Sequence, residues 1–291
     1  MFFSRITGYG HAFPSKIFSN DDLSKILDTN DEWISSRTGI KTRYIAAENE
    51  SSSSLGAKAA IDALSIVGES AKNVDAIILA TTTPDHSMPA TAAKIQSILG
   101  ANTAFAFDVQ AVCSGFIYAL SIADHFLKCG TIKNALVIGA EVMSRIVDWT
   151  DRSTCVLFGD GAGAIFLQRY ENNRSFEESP ESQFLEGTNR TQERNVLNVH
   201  ENLKLDSIEL CKRPNNKENS KIISTHLFSD GNFYDTLYVD ERVKTEAGKG
   251  AIKMNGRVVF SSAIEHMVNS AFIALEKNNL TVEDLDWFVA H

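Results

Sequence analysis

The chain has 291 residues, of which 43% are hydrophobic and 22% charged, and its formal net charge is -9. This composition is typical of a soluble globular protein, and the acidic balance argues against nucleic acid as the main partner. The four cysteines show no CxxC spacing and no paired framework, so we expect neither a metal site nor structural disulfides. Since no signal peptide and no apolar run of membrane-spanning length is recognised, we expect a cytoplasmic protein that does not enter a membrane.

Predicted helices and strands alternate along the chain. This order indicates an α/β fold with a largely parallel sheet and helices on its faces. The predicted strands are residues 5–13, 74–82, the apolar run before Cys113, 135–140, 162–167 and 285–291. The predicted helices are residues 19–35, 54–68, 91–99, 114–129 and 257–277.

One stretch, residues 171–221, departs from this alternation. It is rich in Asn, Glu, Ser and Arg and has few aromatic residues, which predicts an exposed polar insertion. The chain is therefore divided into a half at residues 1–170, the insertion at 171–221, and the beginning of a second half at 222–291.

The two halves share a local pattern. The helix at residues 54–68 leads through a short polar connection that ends in Asp75 into the apolar run Ala76–Ala80. The helix at residues 257–277 leads through a similar connection that ends in Asp286 into the run 287–291. If these are true repeats, the second copy stops at its strand, and most of a half-domain is then missing from the chain.

Cys113 lies at the junction between an apolar run and a helix. From Ser114 onwards the apolar residues recur at helical spacing, and Gly130 is a suitable C-cap. The backbone N–H groups and the dipole of a helix N-terminus favour a thiolate, which is the reactive form of cysteine. The pattern therefore predicts a nucleophile, although free cysteines are also common as small core residues.

Several stretches together carry a resemblance to a known family. They are Thr29–Ile40, the Cys113 segment, Trp149–Thr154, Leu157–Gly163 and Asp286–His291. With these stretches the chain resembles the 3-oxoacyl-[acyl-carrier-protein] synthase III enzymes, which initiate bacterial-type fatty-acid synthesis. The resemblance implies a thiolase-like sandwich of two similar halves, layered α/β/α/β/α, with the second half truncated, and it implies a homodimer.

The resemblance also implies a mechanism and two catalytic residues. The cysteine that matches Cys113 takes an acetyl group from acetyl-CoA, and malonyl-acyl carrier protein then condenses with it and loses carbon dioxide. His291 matches the histidine that donates a hydrogen bond to the enolate oxygen, with Ala290 in place of the family's proline. The family's second donor, an asparagine in a later motif, has no counterpart in the chain. Acyl-CoA is the substrate here, and neither a cofactor nor a metal is implied.

Further residues match the family's substrate-binding positions. Trp33 and Arg152 correspond to the pair that sandwiches the adenine ring, and Thr29 and Arg37 to contacts at the nucleotide end of CoA. Gly256 and Phe260 fall where the family lines the pantetheine tunnel. Met88 falls where a bulky residue closes the acyl pocket across the dimer interface. Since methionine is flexible, Met88 is expected to admit a primer longer than acetyl.

Two other functions stay open at this stage. Cys113 would serve equally in a related thiolase-superfamily enzyme that only moves acyl groups or condenses other substrates. The chain would also fit a catalytically incomplete fragment that needs a further segment or a second chain. Only the products formed with acyl-CoA and malonyl-acyl carrier protein separate these alternatives.

Overall fold

The computed structural model describes residues 2–171 and 220–291. Residues 172–219, which make up most of the predicted polar insertion, lie outside the described residues. The division of the chain into two halves and an insertion therefore stays a prediction.

The described residues form six α-helices and nine strands. The helices are α1 (Asn20–Ser24), α2 (Asp31–Thr38), α3 (Ser52–Val67), α4 (Thr91–Leu99), α5 (Gly115–Lys128) and α6 (Gly256–Lys277). The strands are β1 (Phe2–Ala12), β2 (Lys16–Ser19), β3 (Thr42–Ile45), β4 (Ala76–Ala80), β5 (Phe105–Val109), β6 (Asn134–Val142), β7 (Asp160–Glu171), β8 (Leu237–Lys244) and β9 (Gly250–Met254).

A five-stranded sheet in the order β1-β7-β6-β4-β5 forms the centre of the fold. The strands β4, β5 and β6 are parallel, whereas β7 is antiparallel to both β6 and β1. The expectation of a largely parallel sheet is therefore wrong for β1 and β7. The physical reason is that no α-helix crosses between β6 and β7, so the chain reverses direction and pairs antiparallel.

Helices cover both faces of this sheet. On one face α3 and α4 pack in a cluster that includes Leu55, Ile95 and Phe166, and on the other α5 packs through Ala119, Ala123 and Leu127. All residues of β4 are buried, as expected for a central strand covered on both faces.

Two glycines of β1 allow α3 to approach unusually closely. A Cβ atom on Gly8 would overlap the backbone carbonyl of Ala63, and a Cβ on Gly10 would overlap that of Ala59. The absence of a side chain at both positions therefore sets the distance between the first strand and this helix.

Two predicted elements differ from the observed ones. The predicted helix at residues 19–35 is two helices, because α2 has its own N-cap, in which the Asn30 side chain accepts a hydrogen bond from Trp33 N. The predicted strand at residues 285–291 is wrong, because these residues join none of the sheets that the described residues form.

The helix α6 exposes an apolar stripe. Its residues Phe260, Ile264, Val268 and Phe272 follow each other at four-residue intervals and are 44–70% exposed. Among the described helices, α6 alone is long and apolar enough to cross a membrane. This differs from the expectation that no apolar run of the chain reaches membrane-spanning length. Core helices of soluble proteins meet the same criterion, so this property by itself is weak evidence for a membrane.

Candidate active site

Cys113 lies in a tight turn between β5 and α5. A 3-10 turn at Val112–Ser114 follows β5, and α5 begins at Gly115, directly behind the cysteine. The backbone of Val112 has φ 48°, a left-handed conformation that is strained for a β-branched residue. Strain of this kind persists where the surrounding structure fixes the backbone, as functional turns require.

The position of this turn is fixed by close packing of α5 on the sheet. A Cβ atom on Gly115 would lie 3.2 Å from Ala80 Cβ, and one on Gly139 would lie 3.3 Å from Phe116 Cδ2. Both glycines therefore allow the first turn of α5 to lie directly on β4 and β6. The Cys113 side chain is exposed at the edge of the sheet.

The structure brings the two predicted catalytic residues together. The Cys113 side chain interacts with His291, and this interaction raises the pKa of His291 above its ordinary value of 6.5, partly opposed by burial. A thiol beside an imidazole is the usual arrangement for an activated cysteine nucleophile. Cys113 and His291 are therefore candidates for the nucleophile of acyl transfer and its partner.

The other described cysteines have different environments. Cys129 is exposed beyond the C-terminal end of α5, whereas Cys155 is fully buried and burial raises its pKa to about 11. A thiol with so high a pKa stays protonated at neutral pH and is a poor nucleophile. Cys211 lies outside the described residues.

The predicted nucleotide-binding residues also lie close together. The guanidinium carbons of Arg37 and Arg152 lie 4.6 and 5.0 Å from the centre of the Trp33 ring. Arg152 Nη1 also donates to the Asp28 backbone oxygen at 2.6 Å, next to Thr29. The Thr29 hydroxyl is buried and has no hydrogen-bond partner among the described residues.

The contact of Arg152 with Trp33 leaves no space for a base between them. A ring inserted between two groups needs roughly 7 Å, or twice the contact distance of ~3.5 Å between carbon atoms. The observed separation is 5.0 Å. An adenine ring that is sandwiched between Trp33 and Arg152 must therefore displace Arg152 from its position.

The residues predicted to line the pantetheine tunnel and the acyl pocket make no contact with Cys113 among the interactions of the described residues. Gly256 begins α6, where the Asn255 side chain caps the helix, and Phe260 is 70% exposed. Met88 is 81% exposed on the loop between β4 and α4. Their assignment to the pantetheine tunnel and the acyl pocket stays a prediction.

The sequence interpretation missed Glu141, an acid within the otherwise apolar run of β6. Its carboxylate accepts hydrogen bonds from the backbone N–H groups of Thr82 and Thr83 at 2.7 and 3.0 Å. Burial raises its pKa, partly opposed by these hydrogen bonds. The signal that could have found it is a single charged residue in a strand that must be buried.

The fold is the thiolase-like fold of the condensing enzymes. Residues 107–181 match the family model for 3-oxoacyl-[acyl-carrier-protein (ACP)] synthase III. The curated beta-ketoacyl-[acyl-carrier-protein] synthase III of Ehrlichia canis is 45% identical over 99% of this chain and 76% of its own length. That of Rhodospirillum centenum is 44% identical with the same coverage.

Solved structures agree with the sequence relatives. The 3-oxoacyl-[acyl-carrier-protein] synthase III of Aquifex aeolicus matches with a TM-score of 0.76 and 38% identity, over 97% of this chain and 74% of that one. The corresponding Pseudomonas aeruginosa enzyme matches with a TM-score of 0.74 and 31% identity, over 97% and 73%. The chain belongs to the 3-oxoacyl-[acyl-carrier-protein] synthase III family, whose members are acyltransferases that initiate fatty-acid synthesis.

Proposed function

We propose that Cys113 takes an acetyl group from acetyl-CoA as a thioester. The thiolate attacks the thioester carbonyl, the new carbon–sulfur bond forms, and CoA leaves as its thiolate. The observations that carry the proposal are the exposed position of Cys113 directly before α5 and the interaction of its side chain with His291. The acetylated cysteine keeps the reactivity of a thioester, so it remains a good acyl donor for a second step.

In the second step malonyl-acyl carrier protein condenses with this thioester. The bond between the malonyl methylene carbon and its carboxyl group breaks, and carbon dioxide leaves. The electron pair forms an enolate whose carbon attacks the acetyl carbonyl, and Cys113 departs as its thiolate. His291 donates a hydrogen bond to the enolate oxygen, where negative charge develops. The product is acetoacetyl-acyl carrier protein.

The nucleotide end of CoA binds at Trp33 and Arg152, with Arg37 and Thr29 beside them. Planar guanidinium groups stack well on aromatic rings, and the base replaces the present Arg152 contact with a stack of its own. The buried Thr29 hydroxyl, unpaired among the described residues, supplies a hydrogen-bonding group that a bound ligand can satisfy.

Further features of the proposal come from the family resemblance. The pantetheine arm passes Gly256 and Phe260, and Met88 closes the acyl pocket of a second copy in a homodimer. The enzyme acts in the cytoplasm, with acyl-CoA and the carrier protein as its partners. It uses neither nucleic acid nor a membrane, and it needs no cofactor.

The experiment is intact mass measurement after mixing the protein with acetyl-CoA, followed by malonyl-acyl carrier protein. An acetyl adduct on the wild type that is absent from Cys113→Ala, and that is discharged into acetoacetyl product, supports both steps. An adduct that persists limits the function to acyl transfer. Absence of any adduct with acetyl-, butyryl- and isobutyryl-CoA contradicts the proposal and favours an incomplete fragment.

A further inference from the structure

The loop between β4 and α4, residues 81–90, begins directly against the turn that carries Cys113. Thr81 N donates to the Val109 backbone oxygen at 3.2 Å, at the end of β5. Ala80 Cβ lies 3.2 Å from the position that a Cβ on Gly115 would occupy. We therefore expect a displacement of the base of this loop to shift the residues on both sides of the turn at Cys113.

Glu141 holds the base of this loop from the neighbouring strand β6. Besides the N–H groups of Thr82 and Thr83, its carboxylate accepts hydrogen bonds from the hydroxyls of Thr83 and Thr81, the latter at 3.4 Å. The Thr83 hydroxyl in turn accepts from Val142 N at 2.8 Å. An ionised carboxylate only accepts hydrogen bonds, so it is matched to four donors on three consecutive residues.

The far end of the same loop is held by two other carboxylates. Asp85 accepts from Ser53 N at 3.0 Å, and its own N–H donates to the Thr91 hydroxyl at 3.1 Å. Asp108 on β5 accepts from Thr91 N at 2.7 Å. Both ends of the loop are thus fixed, and Met88 lies between them, 81% exposed.

We propose that Glu141 is a positioning residue for the acylation of Cys113. Glu141 holds Thr81–Thr83 in place. This fixes the position of the turn at Cys113 and also the direction in which the loop at residues 81–90, with Met88, leaves β4. Glu141 therefore controls both the rate of acyl transfer and the choice of primer, without contacting the acyl group. This inference rests on the proposed acyl transfer from CoA.

The decisive variant is Glu141→Gln, which keeps the size of the side chain. It replaces one acceptor oxygen by an NH2 group that faces N–H and O–H donors, so the base of the loop shifts while the core stays filled. Since misplacement by about 1 Å can cost roughly a hundredfold in rate, we expect acetylation of Cys113 at saturating acetyl-CoA to slow about tenfold or more. The ratio of acetyl to butyryl transfer should change, while the acetyl-CoA concentration for half-maximal rate stays nearly constant.

Three further variants complete the test, with rates followed by intact mass. Thr83→Val removes one donor to Glu141 and should change the rate and the primer ratio in the same direction. Glu141→Asp keeps the acceptor oxygens and should recover part of the rate. The control is Asp124→Asn, which alters a buried carboxylate of α5 that accepts from Ser4 and Lys128 and does not touch the loop. It should retain the wild-type rate and primer ratio.

A folded Glu141→Gln protein with wild-type rate and primer ratio overturns the inference. If Glu141→Gln does not fold, as judged by circular dichroism, the same comparison is made with Thr83→Val. An equal loss in Asp124→Asn would also overturn it, because any buried carboxylate would then have the same effect. If the proposed function itself is wrong, the wild type forms no adduct on Cys113. The two failures can therefore be told apart.

Discussion

The Cys113 side chain interacts with His291, so the turn after β5 and the segment after α6 meet at one point. The imidazolium form of His291 is favoured in the folded protein because its pKa is raised by this contact. Its contribution to stability is therefore present below pH 6.5 and is lost as the pH rises through the raised pKa of the folded state.

Replacing Cys113 with alanine should lower the pKa of His291, because the side-chain interaction that raises it is removed. The ring-proton chemical shift of His291, followed by NMR across the pH range, measures this change. The control is Cys129→Ala, which alters another exposed cysteine at the opposite end of α5. An identical titration of His291 in wild type and Cys113→Ala would show that the contact does not govern its protonation.

Replacing Arg152 with alanine should lower the apparent affinity for acetyl-CoA. The apparent affinity for acetyl-pantetheine, which lacks the nucleotide, should not change. A stacked guanidinium is worth about 0.5–2 kcal/mol, so the acetyl-CoA concentration for half-maximal acylation should rise up to about thirtyfold. Arg152→Lys should not restore the affinity, because an ammonium group is not planar. Equal losses with both substrates would place the role of Arg152 away from the nucleotide.

Met88 is expected to decide how long a primer the enzyme accepts. Met88→Phe should raise the preference for acetyl- over butyryl-CoA about tenfold, because a rigid ring fills more of the pocket. His86→Phe, which places the same ring on an exposed position of the same loop, should leave the preference unchanged. A strict acetyl preference already present in the wild type would contradict the hypothesis for Met88.

Gly10→Ala should destabilise the fold by about 1–3 kcal/mol, because its Cβ would overlap the Ala59 carbonyl of α3. Gly163→Ala is the matched control on β7, since no atom lies within 4 Å of its added Cβ. Urea unfolding followed by circular dichroism gives both free energies of unfolding. Similar midpoints for the two variants would show that α3 moves away from β1 at little cost.

Much of the fold could be predicted from local sequence patterns. Helix α4 was predicted with its observed bounds, because Gly100 marks its end and its apolar spacing is clear. The antiparallel pairing of β7 could not be predicted, because the sequence pattern of residues 160–171 does not indicate which strands lie beside β7 in the sheet. The break between α1 and α2 was missed because the Asn30 cap lies in a continuous polar pattern.

The candidate site was predictable to a different extent for each residue. Cys113 stands out through its position before a helix, whereas His291 and Trp33 were identified only by resemblance to a family. Glu141 was missed because its partners, Thr81–Thr83, lie on another strand's loop. Contacts between distant segments of the chain are fixed by the sheet order, which a local pattern does not contain.

The loop at residues 81–90 is tied down at both ends and open to solvent in the middle. Substitutions near Met88 can therefore accumulate without disturbing the sheet or the turn at Cys113. If Met88 closes the acyl pocket as proposed, a family built on this arrangement can change its starter unit by a few mutations in one loop while the reaction itself is preserved. Divergence in product chemistry then requires no new fold.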